Sequence, residues 1–282
     1  MGRTVYVNGE YVPEEDAKIS IFDRAFLFAD GVYEVTAVID GKLVDFEPHM
    51  QRLHRSLKEL EMGQPITDAE LREMHEQLTA RNNITEGLIY MQVTRGVAER
   101  EFAYPEDAKQ TIVAFTQVKE LAESAKAKTG IKIISIPDIR WHRRDIKSTG
   151  MLAQAMGKEA AQRAGVDDAW MVEDGVVTEG TSNTAFIVTD GNHLVTRPLS
   201  NKILPGITRR TILKLAESGE ISFEERPFTI DEAKGASEAF LTSASSFVMP
   251  VVEIDGARIG GGQPGPVTRK LREMYIDAAR NE

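Results

Sequence analysis

Four dipeptides constrain this chain more than any other feature. Asn8-Gly9, Asp40-Gly41, Asp174-Gly175 and Asp190-Gly191 each stand between runs rich in β-branched or aromatic residues. Such pairs accept positive φ in a two-residue turn, and that turn matches the natural twist of paired strands. "RTVYVNGEYV" and "GVYEVTAVIDGKLVDF" therefore predict hairpins. The later two dipeptides punctuate the short strands "DAWMVE", "TAFIVT" and "HLVTR". Strands are also predicted at "GLIYMQVTRG", "TIVAFTQV", "IKIISI" and "ISFEERPF", and around a Ser-rich turn in "EAFLTSASSFVMPVVEIDGARIG".

Elsewhere the period is helical. Met50, Leu53, Leu57 and Leu60 recur at helix spacing, with Pro48 near the start and Gly63 past the end. Thr67 and Glu70 predict a capping box before the stripe Leu71, Met74 and Leu78. Further helices are predicted at "MLAQAMGKEAAQRAG", small and apolar enough to look buried, and at "GITRRTILKLAES". A closing helix is predicted with Val267, Leu271, Tyr275 and Ala278 on one face. Strand runs with segregated helices give an α+β class. The charged, alanine-rich "KELAESAKAKTG" reads as a linker. The expected organisation is a smaller α/β domain at 1–119, a linker at 120–130 and a larger domain at 131–282. The long polar loop "VAEREFAYPEDAKQ" is of the kind that carries function.

Composition removes several classes. Asp plus Glu is 44 against 34 Lys plus Arg, a net charge of −10, which disfavours general binding to nucleic acid. There are no cysteines, so disulfides, thiolate metal sites and a cysteine nucleophile are excluded. The five histidines are scattered and show no metal-ligand spacing, so no metal is expected. No run is long and apolar enough for a membrane span, and no signal peptide is visible, so a cytoplasmic setting is expected.

Against that acidic background "DIRWHRRDIKSTGMLAQAM" gathers Arg140, His142, Arg143, Arg144 and Lys147. A lysine becomes a nucleophile when burial or neighbouring cations destabilise its ammonium, so the cluster is read as favouring a neutral Lys147. Alone, it reads as a solvated basic turn, the usual setting of a lysine beside arginines. Glu179 precedes the hydroxyl and amide run Thr181, Ser182, Asn183 and Thr184, which is either a self-bonding turn or an acid beside an anion's polar wall. Gly206, Ile207 and Thr208 open a helix, a ready anion site or an ordinary cap. Ser243, Ser245 and Ser246 offer donors, and Arg52 a charge that otherwise faces solvent.

In order along the chain, these stretches resemble pyridoxal-phosphate enzymes of fold type IV, the branched-chain and D-amino-acid aminotransferase class. "FADGVYEV", "IYMQVTRG", "DIRWHRRDIKS", "VTEGTSN", "LPGITR", "PFTIDEA" and "TRKL" are most similar to the D-amino-acid aminotransferases, and the resemblance runs nearly end to end. It implies a two-domain fold with the active site between domains, and Lys147 as the Schiff-base lysine and proton shuttle. By the same resemblance Glu179 pairs with the pyridine nitrogen. Arg52, Ile207, Thr208 and Ser243 hold the phosphate. Leu204 supports the ring, Ser182 lies in the polar wall, and Tyr33 sits near the substrate. Ala244 stands where these enzymes carry threonine. Their α-carboxylate is captured by an Arg-x-His; here Arg100 is in place and Phe102 replaces the histidine. The implied reaction moves the amino group of a D-amino acid to a 2-oxo acid in a homodimer. A branched-chain L-amino-acid or (R)-amine aminotransferase, or a lyase of the aminodeoxychorismate type, is the alternative.

Overall fold

A computed structural model describes residues 2–281. It divides into two compact units, residues 2–120 with 146–150, and residues 121–145 with 151–281.

The first unit contains β1 (Thr4–Val7), β2 (Glu10–Pro13), the short helix α1 (Arg24–Phe28), β3 (Gly31–Ile39), β4 (Lys42–Val44), α2 (Phe46–Glu59), α3 (Asp68–Arg81), β5 (Glu86–Thr94) and β6 (Thr111–Val118). Its sheet is antiparallel throughout, in the order β2-β1-β6-β5-β3-β4. The two predicted hairpins set its edges. Val7 pairs with Glu10 across Asn8 and Gly9 at φ 50° and 104°. Ile39 pairs with Lys42 across Asp40 and Gly41 at φ 51° and 76°.

One face of this sheet carries Val32, Val38, Ile89, Met91, Val93, Ile112 and Ala114, packed in one cluster with Met50, Leu53 and Leu57 of α2 and Leu71, Met74 and Leu78 of α3. Leu53, Leu71 and Leu78 are each 0% exposed. Burial at that level is worth about 1.5–3 kcal/mol per side chain, which is why the stripe, not propensity, holds these helices. The predicted capping box is formed: Glu70 N donates to Thr67 Oγ1 at 3.3 Å, and Thr67 N donates to Glu70 Oε2 at 2.7 Å.

The second unit contains α4 (Ala125–Thr129), β7 (Ile131–Pro137), α5 (Leu152–Arg163), β8 (Asp168–Glu173), β9 (Val176–Gly180), β10 (Thr184–Thr189), β11 (His193–Thr196), α6 (Ile207–Ser218), β12 (Phe223–Glu225), α7 (Ile230–Lys234), β13 (Glu238–Ser243), β14 (Phe247–Ile254), β15 (Ala257–Arg258) and α8 (Pro266–Arg280). Its sheet runs β12-β11-β10-β13-β14-β7-β8-β9, with β15 on β14. It is mixed, since β7 is parallel to both β14 and β8. The class is α+β, as the segregation of strands and helices predicts.

Several local expectations change. The stretch read as a linker contains α4, and Leu121, Ala122 and Ala127 are buried in it, small apolar residues that the surrounding charges mask in sequence. The helix expected to be buried, α5, buries only Gly157 and Ala161 and leaves Leu152 75% and Met156 53% exposed. Its small residues serve close packing: a Cβ on Gly157 would come 2.8 Å from Ile136 Cδ1 and 3.0 Å from Thr181 Cγ2. In α8 the buried alanine is Ala279, not Ala278. "ISFEERPF" is extended as a strand only over Phe223–Glu225. Among the described residues no helix is long and apolar enough to cross a membrane.

Candidate functional site

In the first unit, residues 146–150 lie against β3. Ser148 bridges Val32, Tyr33 N donates to Lys147 O at 3.0 Å, and Thr149 N donates to Gly31 O at 3.0 Å. Lys147 N reaches Ser56 Oγ of α2 at 3.4 Å. With its backbone tied on both sides, Lys147 is half-buried and holds Nζ 4.1 Å from the centre of the Tyr33 ring. An aromatic face attracts an ammonium and leaves its nitrogen approachable from the other side. Tyr33 stacks on Tyr90 at 5.4 Å, and Tyr90 on Phe115 at 4.9 Å, so a row of rings crosses β3, β5 and β6.

Arg52 does not face solvent. Its Nε and Nη2 donate to the two oxygens of Glu34 at 2.8 and 2.7 Å, and His49 Nδ1 stands 2.7 Å from Glu34 Oε2. Glu34 is 0% exposed. Burial pushes its carboxyl up, but the charge and hydrogen bonds of Arg52 and the His49 contact outweigh burial and hold it down at about 2. Glu34 thus fixes the plane of the Arg52 guanidinium. Neither Glu34 nor His49 stood out in the sequence, because their partners come from a different element.

Arg100 and Phe102 lie in the exposed loop after β5. The Arg100 guanidinium carbon is 5.4 Å from the centre of the Phe28 ring and 5.7 Å from that of Phe102. The rings themselves are 5.5 Å apart. Where the resemblance leads one to expect a histidine donor, the cation is flanked by aromatic faces.

The second unit gathers most of the remaining candidates. Glu179, near the end of β9, is buried and takes a charged hydrogen bond from Arg140 Nη1. Leu204 N donates to its Oε2 at 3.1 Å. Burial pushes the Glu179 carboxyl up; Arg140 and the Leu204 amide oppose this, and the balance stays above the ordinary carboxylate value. Two residues after Leu204, Gly206 opens α6 with no side-chain cap, so the first amides, those of Ile207 and Thr208 among them, face outward from a positive helix end. A Cβ on Gly206 would come 2.8 Å from Thr184 Oγ1, and Thr184 pairs with Thr242, next to Ser243. The Ser-rich turn is therefore at the same end of the sheet as the α6 N-terminus. In it Ser243 Oγ lies 3.2 Å from Ser245 Oγ and 2.7 Å from Ser246 Oγ, with Ala244 half-buried between.

Two parts of the sequence reading are corrected here. The three arginines of the basic cluster are paired with carboxylates. Arg140 also binds Asp138 at 2.6 Å, Arg144 binds Glu173 at 2.7 Å, and the more exposed Arg143 meets Asp145 at 3.1 Å. These arginines are no store of uncompensated charge. The hydroxyl run after Glu179 is mostly structural as well. Thr181 Oγ1 and Asn183 Nδ2 donate to the buried Asp168 at 2.6 and 2.9 Å, and Ser182 alone of the three is exposed.

Known proteins are similar to this chain over nearly its whole length. The family model described as amino-transferase class IV matches residues 31–254, from the first residue of β3 to the last of β14. The D-alanine aminotransferase of Staphylococcus epidermidis is 40% identical over 278 residues, covering 97% of this chain and 98% of that protein. The Escherichia coli branched-chain amino acid aminotransferase superposes with a TM-score of 0.91 at 25% identity, over 99% of this chain and 95% of that one. The T.th. branched-chain amino acid aminotransferase, in its structure with pyridoxamine 5'-phosphate, superposes at 0.90 with 27% identity, over 100% and 95%. A family match that takes in Lys147, Glu179 and the start of α6, with a relative so similar over nearly the full length, leaves one assignment: the chain belongs to the class IV aminotransferases, enzymes dependent on pyridoxal phosphate.

Proposed function

We propose that this aminotransferase moves the amino group of a D-amino acid, of the D-alanine or D-glutamate type, to a 2-oxo acid such as 2-oxoglutarate or pyruvate. The observation that carries the reading is the 40% identity with a D-alanine aminotransferase over nearly all of both chains, against 25–27% for the branched-chain enzymes of the same fold.

The residues present suit the cofactor. A phosphate needs donors without competing carboxylates, and the uncapped start of α6 and the Ser243–Ser246 turn at the same end of the sheet supply them. A pyridine nitrogen needs a buried acid, and Glu179 is one. Bound pyridoxal phosphate carries the amino group between donor and acceptor and delocalises the electrons released when the Cα proton leaves. The protein does the rest. Lys147 would hold the cofactor covalently between turnovers, and its freed amine would move the proton from Cα of the bound amino acid to C4′ of the cofactor, and in the opposite direction with the acceptor. Glu179, braced by Arg140, keeps a proton on the ring nitrogen. Ile207 and Thr208 amides, Ser243 and the Ala244 amide hold the phosphate. Arg52, fixed by Glu34, supplies charge to it. Leu204 supports the ring, and Ser182 belongs to the polar wall. Tyr33 lines the substrate side, and Arg100 holds the α-carboxylate with Phe102 beside it.

One observation favours a second reading, an enzyme for branched-chain L-amino acids or (R)-amines: Phe102 offers no hydrogen bond to a carboxylate. The same reading makes the enzyme a cytoplasmic homodimer. Exposed Ile21, Phe22, Phe26 and Val97 in the first unit support an apolar contact between copies, and light scattering would report the mass. A panel of D- and L-amino acids and (R)-amines, each with 2-oxoglutarate or pyruvate, tests the function. D-Alanine with 2-oxoglutarate is expected to give pyruvate; transfer confined to L-amino acids or amines would replace the reading with the second one. Release of many equivalents of pyruvate per enzyme from aminodeoxychorismate, with no acceptor present, would mark a lyase instead; a single equivalent from D-alanine is only the first half of transamination.

A further inference from the structure

The loop that carries Arg100 follows β5, and nearly all its side chains from Glu99 to Tyr104 are exposed. Left to itself, such a segment would sample many positions, and a cation on it would bind a carboxylate weakly. Three buried charges beneath the loop prevent this. Arg24 is 2% exposed and Arg95 6% exposed. Asp30 Oδ2 accepts from both, at 2.7 Å from Arg24 Nε and 2.8 Å from Arg95 Nε.

Arg24 reaches the loop on both sides of Arg100. On the near side its backbone N donates to Gly96 O at 2.9 Å, and Asp23 bridges Val97 next to it. On the far side its Nη1 donates to Glu101 O at 2.6 Å and to Ala103 O at 3.4 Å, and its Nη2 to Phe102 O at 3.5 Å. Its guanidinium carbon also stands 4.7 Å from the centre of the Phe28 ring, the ring that Arg100 approaches. Arg95 fixes the next residue, its guanidinium carbon 3.5 Å from the centre of the Tyr104 ring. Arg95 is itself held by Leu60 O at 2.6 Å.

From this geometry we infer that Arg24 is a positioning residue, a staple that closes the loop around Arg100 and presents its guanidinium to the substrate carboxylate, with Arg95 and Tyr104 as a second anchor. The inference rests on the reading of Arg100 as the carboxylate holder. Carbonyl oxygens are the right partners for such a staple. They leave the Arg100 side chain uncommitted to a carboxylate of the protein's own, while Asp30 offsets the buried charge of both anchors. Arg24 has no role in the chemistry, so its loss acts on substrate capture.

The test uses the holoenzyme with D-alanine and a fixed acceptor. Arg24→Gln is expected to raise KM for D-alanine by about tenfold with kcat held within about threefold, the signature of lost binding without lost chemistry. Amide hydrogen exchange at residues 99–104 is expected to quicken in the same variant. Tyr104→Leu, at an exposed position that does not endanger folding, shifts both readouts in the same direction by less, and it decides the matter if Arg24→Gln does not fold. Unchanged KM and exchange in these variants, while Arg100→Gln raises KM, would overturn the staple and leave the carboxylate reading standing. An unchanged KM in Arg100→Gln would remove the carboxylate reading, and the staple's function with it.

Discussion

Each unit buries one glutamate against one arginine, and the two pairs come out opposite. Glu34 in the first unit is 0% exposed and Glu179 in the second is 4% exposed, so the desolvation penalty is similar. Glu34 receives both arms of Arg52 and a contact from His49, and is held at about 2. Glu179 shares Arg140 with Asp138 and has otherwise one backbone amide, and its carboxyl is pushed above the ordinary value, by burial first. The difference is in the number of donors per carboxylate, not in burial. A carboxylate with donors to spare is locked as an anion and serves as a fixture. One with few donors has acceptor capacity left for a further N–H.

Breaking the locked pair is expected to have the largest effect on stability. Glu34→Gln leaves Arg52 charged and buried, and breaking such a pair costs about 3–5 kcal/mol. The midpoint of urea unfolding reads it directly. A loss below about 1 kcal/mol, the size of an exposed pair, would mean that the two glutamates do not differ as described. Glu179→Gln is expected to do the reverse. Arg140 keeps Asp138, so stability changes little, while turnover falls by about a hundredfold or more because the ring-nitrogen partner can no longer carry charge. An unchanged kcat in that variant would take Glu179 out of the site.

Acid sharpens the contrast. The folded-state value of Glu34 lies below its unfolded one, so its stabilisation is complete above the ordinary carboxylate range and is lost as pH falls toward about 2. His75, fully buried, is pulled down to about 4 by burial, and it adds a loss as pH falls from the ordinary histidine range toward that value. Glu179 has the opposite sign: its raised value makes the folded state lose stability as pH rises through the carboxylate range. Between about pH 7 and about pH 4 the urea midpoints of wild type and Glu34→Gln should therefore draw only slightly closer, converging as pH nears about 2, while those of wild type and Glu179→Gln should spread. The smallest effect is expected at Arg143, half-exposed against Asp145 at 3.1 Å. Arg143→Ala should cost under about 1 kcal/mol and leave KM and kcat unchanged, and a larger loss would show that the basic cluster is more than a set of ion pairs.

How much of this is legible in the chain depends on how far apart the partners stand. The hairpin at Asp40-Gly41 is set by two adjacent residues, and the cap of α3 by Thr67 and Glu70, so both could be read in advance. Lys147, Glu179 and the Gly206 helix start were visible as types in order. Their local surroundings misled: the arginines before Lys147 are matched by Asp138, Asp145 and Glu173, and the hydroxyls after Glu179 serve Asp168. Glu34 is 18 residues from Arg52, and Arg24 is 77 residues from the Glu101 carbonyl it holds, and no local pattern announces either.

The sequence by itself determined the turns, the helix stripes, the α+β class and the chemical inventory, because each follows from neighbours within a turn or two of backbone. Only the tertiary structure decided that residues 146–150 join β3, that Arg52 faces a carboxylate, and which glutamate is locked and which has acceptor capacity left. Those outcomes depend on desolvation and on donors delivered from other elements, and both come into being only when the chain packs.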